Sequence, residues 1–142
     1  MAPHPFDVVE VVTMQLVLSD ETVLGVTAEL GFRAADPYTV RAVFTGPHST
    51  STWLVGRELL AHGLLATQAT PAGTGDVRIW RDDDPTYLLI ALSGVEGEAL
   101  LAAPAEPVER FVATTRQLVP FGSESTRMDP EISRLIAALL TA

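Results

Sequence analysis

Apolar and polar positions alternate along the first half of the chain, and the period then changes. Val8, Val12, Met14, Leu16 and Leu18 fall on even positions interrupted only by Glu10, with β-branched residues on the other face as well. This predicts a long strand over Val8–Leu18. Leu24, Val26, Ala28, Leu30 and Phe32 alternate with Gly25, Thr27, Glu29 and Gly31, the period-two signature of a half-buried strand over Thr22–Phe32. Asp36-Pro37 predicts a turn, after which Tyr38, Val40, Ala42 and Phe44 resume the alternation. Gly46-Pro47-His48 breaks the chain before a short strand, Thr50–Val55, that carries Trp53.

Leu60 and Leu64 stand four apart, so Arg57–Leu65 predicts a short helix, weakened by Gly63. A glycine-rich loop, 70–75, leads to a strand over Asp76–Arg81. A turn at Asp82–Pro85 leads to another strand over Thr86–Ser93. Glu98–Ala102 fits a strand or a helical turn equally well. Val108, Phe111, Val112, Thr115, Leu118 and Val119 share one face at spacings of three and four. Pro107 suits the first turn of that helix, and Glu106 and Glu109 complement the positive end of its dipole. Residues 121–128 read as a linker. Asp129 and Pro130 then open a second amphipathic stripe of Ile132, Leu135, Ile136, Leu139 and Leu140. The pattern describes an α+β protein of antiparallel β-sheet layers with helices, without repeated βαβ units. The 142 residues form a single domain, with residues 1–7 as a flexible N-terminal tail.

Composition narrows the function classes. The chain lacks cysteine, which removes disulfides, thiolate metal sites and cysteine nucleophiles, and fits a cytoplasmic protein. No stretch approaches the roughly 20 apolar residues that span a bilayer, so no membrane insertion is expected. The N-terminus lacks the basic start of a signal peptide. All nine basic residues are arginine, against eighteen acidic ones, for a net charge of −9. Such a balance argues against nucleic acid and anionic membranes as broad partners, because phosphate neutralisation needs a basic excess.

Each chemical candidate has a plain structural counterpart. His4, His48 and His62 are scattered without metal-ligand spacing, and Asp82-Asp83-Asp84 lacks the alternation and distal Glu of a calcium loop. Gly73-Thr74-Gly75 is not followed by Lys and enters a strand, so no phosphate loop results. Ser93-Gly94 has no identifiable general base. Arg78-Ile79-Trp80-Arg81 resembles a stacking platform, yet alternation splits it between two faces and acidic residues flank it. No catalytic, metal or cofactor-binding residue and no cofactor is expected, and the chain is not read as an enzyme.

The ordered set Ala35-Asp36-Pro37-Tyr38-Thr39-Val40, Phe44, Trp53, Gly56-Arg57-Glu58-Leu59-Leu60, Gly63-Leu64 and 73–80 resembles the SsgA-like family of sporulation-specific cell-division proteins. Glu96-Gly97-Glu98-Ala99-Leu100-Leu101, Ala103-Pro104-Ala105, Phe111, 114–116 and Val119-Pro120 extend the resemblance, with the 96–105 segment closest to the SsgB branch. The resemblance implies a Whirly-like fold and a homotrimer. It implies a non-enzymatic adaptor at division septum sites, with septum-site selection and recruitment of the FtsZ division ring as its task. FtsZ and an SsgA-type paralogue are the implied partners, and the partner-binding residues stay unknown. A Whirly-like single-stranded nucleic-acid-binding protein is the alternative. The strand count of that fold, four strands and a helix repeated, is met by the first half, whereas the second half offers two or three clear strands.

Overall fold

In a computed structural model, the structure describes residues 5–18, 20, 22–95, 97–124 and 138–139. Strands β1 (Val8–Val17), β2 (Val23–Arg33), β3 (Asp36–Thr45) and β4 (Thr50–Gly56) run into helix α1 (Arg57–Gly63). Strands β5 (Val77–Arg81), β6 (Tyr87–Gly94) and β7 (Gly97–Pro104) run into helix α2 (Ala105–Leu118). Among the described residues the seven strands form one antiparallel sheet in the order β4-β3-β2-β1-β7-β6-β5.

The expected sheet layers are thus a single curled sheet. Val55 of β4 and Ile79 of β5 belong to opposite edges, yet both line one interior void of about 20 Å³. Strand twist accumulated over seven strands brings the edges toward each other. One face turns inward and carries the apolar rows: Leu16 pairs with Leu101, Leu101 with Ile90, and Ile90 with Ile79. Val12, Met14, Ala28, Phe32, Val40 and Leu88 are fully buried on the same face.

The segment 97–104 is a strand, because its alternate residues Leu101 and Ala103 join these rows while Gly94 and Gly97 close a tight reversal. The turn expected at Asp36-Pro37 lies instead at Ala34-Ala35, and Asp36 already pairs with Arg33. Pro37 is buried and belongs to β3. The last two residues of the expected tail, Phe6 and Asp7, are anchored on the sheet. The Asp7 amide donates to the Phe32 carbonyl (2.9 Å), and its carboxylate accepts from the Ala34 amide (2.8 Å).

Both helices cover the same end of the curl. Buried Val108, Phe111, Val112 and Thr115 form the inward stripe of α2, whereas Leu118, expected on that stripe, is exposed. Glu10, the interruption in the first strand, meets α2: its carboxylate accepts from Arg110 Nε at 3.0 Å. Helix α1 packs against β3, β4 and β5 and so bridges the two sheet edges. A Cβ at Gly63 would lie 2.2 Å from Ile79 Cγ2, so only glycine permits this approach. The outer edge of β5 is covered in turn, by paired hydrogen bonds between Ala72 and Ile79 and by Arg81 N donating to the Ala66 carbonyl.

Arg57, the first residue of α1, is 1% exposed. Its Nη1 donates to the carbonyls of Thr115 (3.2 Å) and Val119 (2.6 Å), capping the end of α2, where helix carbonyls lack partners. Its Nη2 donates to Glu124 Oε1 at 2.8 Å, and the guanidinium stacks over Phe32 and Phe121. Phe121 and Glu124 of the expected linker therefore belong to this assembly. Asp129, Ile132, Leu135, Ile136 and Leu140 of the expected terminal stripe lie outside the described residues. Ala138 and Leu139 are helical, with Leu139 68% exposed.

Arg57→Met should cost about 3–5 kcal/mol, because it leaves the Glu124 charge and the Val119 carbonyl buried without the guanidinium, while the Thr115 carbonyl keeps the Val119 amide. Chemical denaturation measures the loss, and Arg110→Gln at the exposed pair should be far milder. A pH dependence follows from Glu124. Hydrogen bonding to its own amide, opposed by burial and reinforced by Arg57 and the Gly122 amide, holds its carboxyl below the ordinary carboxylate range. A lowered folded-state pKa contributes stability above the unfolded value, and that contribution is lost as pH falls through the folded value. Glu124→Gln should therefore lower the melting temperature at neutral pH. The gap to the wild-type chain should close as pH falls below the usual Glu range of about 4.

Candidate functional site

With α1 and α2 filling one end of the curl, the other end is left open. Its mouth is a groove of about 710 Å³. The floor is apolar: Leu16 of β1, Leu24 and Val26 of β2, Phe44 of β3, Leu92 of β6 and Leu101 of β7. These are the outermost members of the inward rows, left without a covering helix because both helices pack at the far end. One wall is the turn 46–49 with Ser51 and Trp53 of β4, where Trp53 Nε1 donates to Ser51 Oγ at 3.1 Å. The opposite wall is the β6–β7 reversal, where Val95 is fully exposed and Ser93 Oγ donates to Glu98 Oε1 at 3.2 Å. Among the described residues, His48 and Glu98 are the ionisable ones on its lining. Such a surface holds an apolar segment by desolvation and directs it with a few polar groups at the rim.

The structure separates the other candidates. His48 sits at the groove rim, His62 lies exposed in the last turn of α1, and His4 lies outside the described residues. Among the described residues no group of three His, Asp or Glu converges as metal ligands would. Asp84 shapes the β5–β6 turn by accepting from the Thr86 hydroxyl (2.7 Å) and amide (3.1 Å). The hydroxyl first, and then the amide, hold its carboxyl below the ordinary range. Gly73 takes φ +93°, and a Cβ there would lie 2.3 Å from the Val77 carbonyl oxygen, so the glycine-rich loop is a turn. The Ser93 hydroxyl donates its hydrogen bond to a carboxylate and not to an imidazole.

The Arg78–Arg81 run is divided between two faces. Ile79 is buried in the core, and Arg81 donates to the Leu64 and Pro85 carbonyls and to Glu109 (2.6 Å). Trp80 is half-buried, with Nε1 lacking a partner among the described residues.

The groove itself is missed by the sequence reading, although Leu16, Leu24 and Phe44 are all assigned there to strands. Its only local sign is that their apolar rows run to the strand ends without a polar stop. No helix among the described residues is long and apolar enough to cross a membrane.

The family model described as Streptomyces sporulation and cell division protein, SsgA, matches residues 26–124, from the middle of β2 to the carboxylate that meets Arg57. The chain is 45% identical over 129 residues to the sporulation-specific cell division protein SsgB of Streptomyces coelicolor, which covers 87% of this chain and 91% of that protein. It is 38% identical over 138 residues to the SsgB of Salinispora tropica, covering 91% and 93%. Among solved structures, the SsgA-like sporulation-specific cell division protein from Thermobifida fusca superimposes with a TM-score of 0.78 at 33% identity, over 97% of this chain and 98% of that one. A structure presented under the words "Mutations in SsgB correlate to longitudinal cell division during sporulation of Streptomyces coelicolor" gives 0.77 at 42% identity, over 89% and 99%.

Elemental analysis of the purified chain should find no stoichiometric metal, and a chelator should leave its melting temperature unchanged. One metal per chain whose removal lowers the melting temperature would contradict the turn assigned to 82–86.

Proposed function

We propose that this chain, which belongs to the SsgA family of sporulation and cell division proteins, works as a non-enzymatic adaptor that selects septum sites and recruits the FtsZ division ring during sporulation. The open apolar groove carries this reading. It is a preformed surface built for contact, and the described residues around it assemble neither a nucleophile with its base nor a metal cluster. The chain acts at division septum sites in the cytoplasm, positioned by an SsgA-type paralogue, and its groove meets FtsZ.

Assembly as a homotrimer belongs to the same reading. The outward face of β1 presents Val9, Val11 and Val17, with Val11 57% exposed, and β2 adds Val23. That apolar face supports contact between copies, as does the exposed Leu139. Three copies bring three grooves to one polymerising partner, and the raised effective concentration turns weak single contacts into stable recruitment. The element order supports a Whirly-like reading of the fold, with four strands and α1 followed by three strands and α2.

Leu24→Glu places a charge at a part-exposed groove position, so the melting temperature should hold while binding to purified FtsZ and sporulation septation both fall. Light scattering should give the mass of three chains for both proteins. A variant that binds FtsZ and septates normally would refute the groove as the contact, and a monomer mass at micromolar concentration would refute the trimer.

A further inference from the structure

Three of the seven arginines among the described residues meet carboxylates: Arg57, Arg81 and Arg110. Two others converge on the outer face of the sheet, away from the groove. The guanidiniums of Arg33 at the end of β2 and Arg41 on β3 both pack on the ring of Phe6, at 5.2 and 5.7 Å from its centre. Neither forms an ion pair among the described residues. The ring is seated by Gly31, where a Cβ would come within 2.8 Å of Phe6 Cγ. Arg33, Arg41 and Phe6 line a cleft of about 140 Å³ with Asp36, Thr39 and Leu54.

In a chain of net charge −9, two arginines left without carboxylates beside one another are a local exception. Like charges held on one ring repel, and the arrangement becomes favourable once an anion is shared between them. Two features define that anion. Asp36 on the rim disfavours a compact, multiply charged ion such as phosphate. Leu54 stands directly across from Arg41 in the β3–β4 register and is 69% exposed, an apolar anchor that an inorganic ion cannot use. β4 is also an edge strand of the sheet. An extended segment can therefore lie along it with its carboxylates on the arginines and an apolar side chain on Leu54.

We infer that the Phe6–Arg33–Arg41–Leu54 surface docks an acidic segment of a partner protein, one that carries carboxylates close to an apolar residue. This surface is separate from the groove and does not depend on the groove's occupant.

The test uses the full chain on an array of short capped peptides in which a Glu pair stands at varied spacings from a Leu, with matched peptides carrying Gln for Glu. Retention is expected on the Glu peptides and not on their Gln counterparts. Arg33→Gln with Arg41→Gln should lower it at least about tenfold, the scale of one lost charge-assisted contact. Leu54→Ser should also lower it, at unchanged melting temperature. If the double variant melts early, Arg33→Gln and Arg41→Gln read singly decide the matter. Equal retention on Gln peptides, full retention by the arginine variants, or no retention at all would overturn the proposal. So would complete displacement by inorganic phosphate at constant ionic strength, which would mark a small-anion site instead.

Discussion

The rest of the structure depends on one buried cation. Arg57 begins the only helix that bridges the two sheet edges among the described residues, and its guanidinium ends the other helix by taking two of its terminal carbonyls. A charge removed from water is tolerable only when its hydrogen bonds are replaced, and here Glu124, two carbonyls and two aromatic faces replace them. The replacement is incomplete, since Nε has no partner among the described residues. The geometry is therefore demanding: α1, the end of α2 and the segment 121–124 must arrive together for the charge to be buried at all. A network of this kind adds less to stability than its contacts suggest, but it permits one arrangement of the two helices.

That arrangement decides where the open surface lies. A curled sheet has an apolar interior with two ends, and two helices held together by one arginine cover the same end. Gly63 lets α1 press against Ile79, and Val108, Phe111 and Val112 fill the space beside it. The opposite end keeps its apolar floor and has only the 46–49 turn and the β6–β7 reversal as walls. Closure at one mouth and availability at the other are two results of the same packing.

Arginine placement divides the charge between structure and surface. Arg81 is absorbed by two carbonyls and Glu109, and Arg110 by Glu10, so these basic residues tie loops and helix α2 to the sheet. The basic and aromatic run 78–81, which suggests nucleic-acid stacking when read linearly, loses Arg81 to these contacts and Ile79 to the core. Two exposed arginines, Arg33 and Arg41, are eight positions apart, and only strand pairing brings them to one ring.

The sequence by itself determined six of the seven strands and both helices to within about two residues, because inward and outward positions alternate at period two and the helix stripes recur every three or four, while 98–102 fitted a strand and a helical turn equally well. Even Glu10, a break in its row, was legible as an anomaly, though not as the partner of Arg110. The family was legible too, from short blocks spread over the chain. What only the tertiary structure decided is which ends of those rows are covered. Period-two alternation says that Leu16, Leu24 and Phe44 face inward; it carries no information on whether a helix reaches them. Asp36-Pro37 was misplaced by two residues because strand pairing of Asp36 with Arg33 outweighed the local turn preference of Pro. Arg57 was legible only as the start of a short helix, since its partners Thr115, Val119 and Glu124 lie 58 to 67 residues away. Local patterns record the environment of each face, and contacts across such separations exist only once the sheet has curled and both helices have met on one side of it.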